Sequence, residues 1–351
     1  VNSATAARAA HKTLYLHADK PADVTTAAEL LVKGSLVAIP TETVYGLAAN
    51  ALDTNAVEQI FVAKRRPHWD PLIVHVSDMA MLARVVRHVP AAALPLIEAF
   101  WPGPLTLLLP RHADVPDSIT AGRDLVGVRM PSHPTALALI REANLPLAAP
   151  SANLFGHVSP TTVAHVLIDL KDRIDAVLDA GPSEIGVEST VLDPTSSPMV
   201  LYRQGGISLA QLEAAAKQRI TVYQRREDVT KPAPKPESLP SPGVGIRHYA
   251  PRARVLLVHT QEDLRDLLLH VTPEQTGVML PLGWSAPGWT GKVFAWECWN
   301  EPAALARTLY TGLRSLDMAG VSTIVCPLPK SSDEPLVEAI RDRLLKSARD
   351  S

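Results

Sequence analysis

Short apolar runs recur from about residue 13 to residue 217, each bounded by polar or turn-forming residues, with helix-like patterns between several of them. They are "LVAI" (36–39), "LIVHV" (72–76), "LTLLL" (105–109), "LVGVRM" (125–130), "PLAA" (146–149), "AVLDAG" (176–181), "STVLD" (189–193) and "MVLYR" (199–203). Runs of this length bounded by turn residues read as strands. Many strands with interspersed helices predict one large α/β domain over residues 13–217, built on a broad mixed sheet. Helix starts are legible as well. Asn55 with Glu58 and Ser208 with Gln211 read as capping boxes, and Ser159-Pro160 as an N-cap followed by proline at the first helical position.

The alternation then stops. Residues 218–252 read as a linker, and from 224 on they are polar, proline-rich and aperiodic. The tail of that stretch, "SPGVGIRHYAP" (241–251), is too specific for a spacer. From 253 to 351 the pattern spells β-α-β-β-α-β-α, a small doubly wound, Rossmann-like domain. It carries no GxGxxG, so a dinucleotide role is unsupported. Two domains also suit a chain of 351 residues with 46% apolar and 20% charged residues.

A formal net charge of −2 argues against a strongly basic nucleic-acid binder. Cys298 and Cys326 are the only cysteines and have no metal-ligand spacing around them, which suits a reducing cytosol. No stretch approaches the ~20 apolar residues that span a bilayer. The opening "VNSATAARAAHK" lacks an apolar segment and reads as a frayed terminus rather than a targeting peptide. The expectation is a cytoplasmic protein.

Walker A, HExxH and GxSxG motifs are absent. What remains is a series of hydroxyl-rich or basic segments at the ends of expected elements. "PTETVYGLAAN" (40–50) places Thr41, Glu42, Thr43 and Tyr45 where a strand runs out. Lys64, Arg65 and Arg66 end a helix, where they either complement its dipole or meet phosphates. His75 sits among apolar neighbours on a strand, a structural position as readily as a functional one. Arg129 lies near the end of an apolar strand and needs a carboxylate partner, either a structural acid or a substrate. Ser151, Asn153 and Ser159 follow another strand; Ser159 is an N-cap or part of an anion site. Glu188, Ser189 and Thr190 open a further strand, and Arg203 precedes a glycine pair. An unsatisfied buried hydroxyl costs ~1–3 kcal/mol, so a core does not collect hydroxyls without partners. Convergent strand ends would form a polar, cationic cavity for an anionic ligand.

Taken in order, "PTETVYGL", "AKRRP…DPLIVHV", "PGPLT", "VGVRMPSHP", "APSAN…SPT", "GVESTVLD", "LYRQGG" and "SPGVGIRHYAP" resemble the YrdC-type threonylcarbamoyl-AMP synthases in their long two-domain form. The resemblance spans residues 24–252 and implies a YrdC-like catalytic domain with an extra Rossmann-like domain behind it. It implies a nucleotidyltransferase that converts ATP, L-threonine and bicarbonate to threonylcarbamoyl-AMP and pyrophosphate. The product goes to a downstream threonylcarbamoyl transferase, which modifies the adenosine next to the anticodon of ANN-reading tRNAs. Mg²⁺ on the ATP phosphates is implied too, with no protein ligand identified and no protein nucleophile.

Carried over by position, the resemblance assigns Thr43, His75, Arg129, Ala149 (through its backbone) and Ser189 to threonine. Arg129 would take the carboxylate. It assigns Lys64, Arg66, Asp70, Leu125, Ser151, Asn153, Ser159, Arg203 and Tyr249 to ATP. Asp70 and Leu125 depart from the asparagine and threonine frequent in the family, which leaves their contacts open between side chain and backbone. Residues 241–251 are expected to form a lid that keeps water from a labile mixed anhydride. The alternatives are a double-stranded-RNA-binding module without catalysis and the carbamoyl-transfer module of hydrogenase maturation. The first lacks aromatic–basic interleaving, and the second lacks its zinc segments and acylphosphatase domain.

Overall fold

The computed structural model describes residues 12–223, 241 and 249–348. Eleven strands form the first sheet. They are β1 (Leu14–His17), β2 (Val37–Ile39), β3 (Gly46–Asn50), β4 (Ile73–His75), β5 (Leu105–Pro110), β6 (Leu125–Arg129), β7 (Leu147–Ala148), β8 (Ala176–Asp179), β9 (Thr190–Asp193), β10 (Met199–Arg203) and β11 (Ile220–Val222). Their spatial order is β1-β8-β2-β3-β7-β4-β6-β5-β9-β10-β11. Pairing is mixed: β4 runs parallel to β6, for instance, while β5 and β7 run antiparallel to their neighbours β6 and β4. The sheet continues past residue 217, since β11 pairs with β10 inside the stretch expected to be linker. "GLAAN" of the hydroxyl-rich segment is itself a strand, β3, paired antiparallel with β2, so Pro40 to Tyr45 form the turn between them.

Two helix starts differ from expectation. The helix Thr54–Lys64 is capped by Asp53, whose carboxylate accepts from the Asn55 and Ala56 amides, while Glu58 lies 2.8 Å from His68. After Ser159-Pro160 the chain bends once more before the helix Val163–Leu170, which Thr162 caps. The Ser208–Gln211 capping box is present.

The second sheet is wholly parallel, with β12 (Arg254–Val258), β13 (Thr276–Pro281), β14 (Lys292–Trp296) and β15 (Thr323–Pro327) in the order β12-β15-β13-β14. Helix Gln261–Leu268 covers one face, where Leu264 meets Val258, Val278 and Val325. Helices Pro302–Met318 and Pro335–Ser347 cover the other, where Leu309 and Ile340 lie with Val255, Met279 and Ile324. Apolar residues therefore face both ways along each strand, as a doubly covered parallel sheet requires.

The second core does not stop at the domain boundary. Val44, Val158 and Val187 of the first domain belong to the same buried cluster as Leu305, Leu309 and Tyr310. Gly186 shows how tight the junction is. Its φ is +84°, and a Cβ there would stand 2.4 Å from the Arg307 Cα, so only glycine fits. Among the described residues, no helix is long and apolar enough to cross a membrane.

Candidate active site

A cavity of about 50 Å³ opens where the β2–β3 turn, β4, the end of β6, the chain after β7 and the start of β9 meet. Ile73 and His75, two apart on β4, both line it, so part of its wall is a sheet face rather than strand ends alone.

The β2–β3 turn is held by its own hydroxyls. Thr41 Oγ1 donates to the Val44 carbonyl (2.6 Å) and accepts from the Thr43 amide (3.2 Å). Tyr45 donates its hydroxyl to the Gly181 carbonyl (2.6 Å). Arg129, at the end of β6, reaches this turn. Its guanidinium donates to Thr43 Oγ1 (2.8 Å) and the Gly103 carbonyl (3.2 Å), and pairs with Glu42 at 2.6 Å. Burial would raise the Glu42 carboxyl, but the Arg129 charge and hydrogen bond outweigh it and hold it below its ordinary value. Burial, followed by repulsion from Arg129, pushes His75 down to about 3, so its imidazole is neutral. Its Nδ1 has no hydrogen-bond partner among the described residues.

The basic helix end splits. Arg65 adopts a left-handed conformation at the C-cap, so it points to solvent while Lys64 and Arg66 turn inward. Lys64 Nζ donates to the Ser151 and Asn153 carbonyls and so shapes the loop after β7. Burial, then the nearby Arg66 charge, holds its pKa well below the usual lysine value. Arg66 lines the cavity and pairs with Asp70 at 2.9 Å, while donating to the Asp70 and Pro71 carbonyls.

On the far wall, Arg203 donates to the Ser189 carbonyl (2.9 Å) and hydroxyl (3.0 Å), and that hydroxyl shares a 2.8 Å hydrogen bond with Thr106. Gly205 lets this strand end lie against the next chain segment, since a Cβ there would come 2.4 Å from the Thr190 nitrogen. Glu188 lines the same wall, and its charged partner comes from the second domain. The Tyr310 hydroxyl donates to Oε2 at 2.9 Å, and the Arg343 Nε at 2.7 Å. Burial pushes the Glu188 carboxyl up, and the Arg343 and Arg203 charges more than reverse that. Tyr249 completes the wall under the Arg343 guanidinium, 5.0 Å from ring centroid to Cζ. Burial and the neighbouring Glu188 raise its phenol to about 12.

Of the residues singled out from sequence, Thr43, His75, Arg129, Ala149, Ser189, Arg66, Ser151, Arg203 and Tyr249 surround this one cavity. Five do not line it. Leu125 begins β6 while Arg129, which lines the cavity, ends it, ~13 Å apart along the strand. Lys64 is engaged with carbonyls and Asp70 with Arg66. Asn153 donates to the Leu154 and His157 carbonyls. Ser159 is fully buried beside Glu188. Of the expected lid, residues 242–248 lie outside the described residues. Sequence reasoning noted Glu188 at a strand start without giving it a role, and passed over Gly46 and Ile73 in the lining and Tyr310 and Arg343 behind it. Strand alternation could have flagged Ile73 through His75, but nothing local marks Arg343.

Comparisons with known proteins agree with this architecture. A family model described as "Telomere recombination" matches residues 29–205, and one described as "Threonylcarbamoyl-AMP synthase, C-terminal domain" matches residues 207–349. The threonylcarbamoyl-AMP synthase of Pyrococcus abyssi is 40% identical over 332 residues, covering 92% of this chain and 93% of that protein. Its namesake from Bacillus subtilis is 40% identical over 340 residues, covering 93% and 92%. The crystal structure of P. abyssi Sua5 complexed with L-threonine matches with a TM-score of 0.85 at 37% identity, covering 96% of this chain and 97% of that one. With both of its domains matched and near-full-length relatives in hand, this chain belongs to the threonylcarbamoyl-AMP synthase family.

Proposed function

We propose that this chain makes threonylcarbamoyl-AMP from ATP, L-threonine and bicarbonate, releasing pyrophosphate. One observation carries the reading: a single buried cavity gathers a guanidinium set among hydroxyls on one side and two further arginines on the other. In the reaction, the threonine amine adds to carbon dioxide derived from bicarbonate and loses a proton, giving a carbamate. A carbamate oxygen then attacks the α-phosphorus, and pyrophosphate leaves with the electron pair of the broken P–O bond. No protein nucleophile is needed, so the chain acts by positioning and charge neutralisation.

Arg129 and Thr43 hold the threonine carboxylate in this scheme. Neutral His75 accepts a hydrogen bond from the amino acid at its unpartnered Nδ1 without adding charge beside Arg129. Arg66, Arg203 and Ser151 face the nucleotide, with Tyr249 across from them, while Ser189 stays with the threonine side. A cavity of about 50 Å³ is far below the ~300–1,000 Å³ of small-molecule sites, so the site must widen to admit ATP.

Among the described residues no cluster of three or more potential ligands could hold a metal. Glu42, Asp70 and Glu188 are each paired with an arginine. In this scheme the ion arrives on the ATP phosphates. Transfer of the product to a tRNA-modifying transferase remains part of the proposal, and no observation favours the RNA-binding alternative.

The test is pyrophosphate release from ATP with threonine and bicarbonate each omitted in turn. Release should fall to background in both omissions. Turnover indifferent to threonine would refute the assignment.

A further inference from the structure

Three buried carboxylates pair with arginines at or near the cavity, and of the three Glu188 lines it. Glu42 pairs with Arg129 at 2.6 Å, Asp70 with Arg66 at 2.9 Å, and Glu188 with Arg343 at 2.7 Å. Arg203 is different. It is buried, lines the cavity, and donates to the neutral carbonyl and hydroxyl of Ser189. Among the described residues no carboxylate lies within ion-pair distance of it. A buried guanidinium without an acid, facing a cavity, is a receptor for an anion.

What leaves Arg203 in that state is the second domain. Glu188 adjoins Ser189 in the chain, so its carboxylate stands beside the group that holds Arg203. Arg343 arrives from helix Pro335–Ser347, is 1% exposed, lies over the Tyr249 ring, and is fixed at its other end by Asp342 at 2.6 Å. Tyr310 gives Glu188 a second donor but no charge.

We propose that Arg343 is a positioning residue that neutralises Glu188 and thereby reserves Arg203 for the nucleotide phosphates. The inference rests on the synthase reading and extends it by giving the second domain a task in substrate binding. Without Arg343, the Glu188 carboxylate is buried with no cation except Arg203 nearby. Arg203 then turns from Ser189 to Glu188, and the wall loses its uncommitted positive charge while gaining an acid that repels phosphate.

The test uses the full-length chain and calorimetric titration with ATP. Arg343→Met should weaken ATP binding by about tenfold or more, one factor of ten per ~1.4 kcal/mol. In steady state it should raise KM for ATP more than it lowers kcat. Adding Glu188→Gln to Arg343→Met removes the competing acid and should restore binding to within about threefold of wild type. A purely structural role for Arg343 predicts the opposite, a double variant no better than the single one, and that result overturns the proposal. Unchanged ATP affinity in Arg343→Met overturns it as well. Should the methionine variant not fold, Arg343→Gln, which keeps a donor but no charge, allows the same pair of measurements. Threonine-independent pyrophosphate release by the wild type would count against the synthase reading instead, and the ATP titrations would still decide the role of Arg343.

Discussion

The two sides of the cavity are built by different means. On the Arg129 side every partner comes from the first domain: Glu42, Thr43 and Gly103 satisfy the guanidinium within one sheet and its connections. On the Arg203 side the wall residue Glu188 is held from behind by Arg343 and Tyr310, which the chain supplies only in its second domain. One side is therefore as stable as the first domain, and the other depends also on how well two domains dock. A site divided this way can lose half of its chemistry while its larger domain remains folded.

The largest effect should come from breaking the self-contained side. Arg129→Met leaves Glu42 ionised and buried without its partner, a loss of ~3–5 kcal/mol. Urea denaturation should show a lower midpoint for the whole first domain, and threonine-dependent pyrophosphate release should vanish. A variant with wild-type stability would mean that the Glu42–Arg129 pair does not support the turn.

Gly186→Ala attacks the docked side. The new methyl meets the Arg307 Cα and the residue is forced to keep a positive φ, at a cost of ~1–3 kcal/mol. Because the strain falls on the junction, calorimetry should resolve two transitions where wild type shows one. A single transition, merely shifted, would argue that the two cores unfold as one unit whatever the junction does.

The smallest effect at neutral pH belongs to His75→Gln, and it sharpens the comparison through acid. His75 is depressed to about 3 in the fold against an unfolded value of 6.5, so the unfolded chain binds the extra proton across that window. Wild-type stability should therefore decline as pH falls below 6.5, and the glutamine variant should decline less. Glu42 and Glu188 act in a lower range. Their folded pKa values lie below the ordinary 4.5, so their contribution is complete above 4.5 and is lost as pH falls through those depressed values. Parallel acid limbs for wild type and His75→Gln would rule out a buried neutral imidazole.

Much of this molecule was legible before any coordinates. All eight apolar runs are strands, and the second domain follows the expected β-α-β-β-α-β-α order. Three strands escaped notice: β1, four residues at the sheet edge, and two more with identifiable reasons. β3 is "GLAAN", whose small residues lack the β-branched signal, and it hides behind the polar turn that precedes it. β11 has three residues and borders a proline-rich stretch. The misplaced caps arose where two capping residues compete within one turn: Asp53 against Asn55, and Thr162 against Ser159. In the site, hydroxyls and arginines at strand ends were visible because such residues are conspicuous among apolar neighbours. Arg343 was not, because an arginine on an amphipathic helix ordinarily reads as solvated, and its burial depends on docking against distant chain.

The 155 residues that separate Glu188 from Arg343 also set an order of assembly during synthesis. A ribosome delivers the entire eleven-stranded sheet, with the Arg129 side of the cavity complete, well before helix Pro335–Ser347 leaves the exit tunnel. For that interval Val44 and Val187 face solvent and Glu188 lacks its counter-charge, so the nascent chain is a folded domain with an unfinished pocket. If Arg343 reserves Arg203 as proposed, competence to handle ATP arises only late in translation. A premature stop shortly before codon 343 would yield a protein that contains every described residue of the cavity lining and still lacks the partner of Glu188.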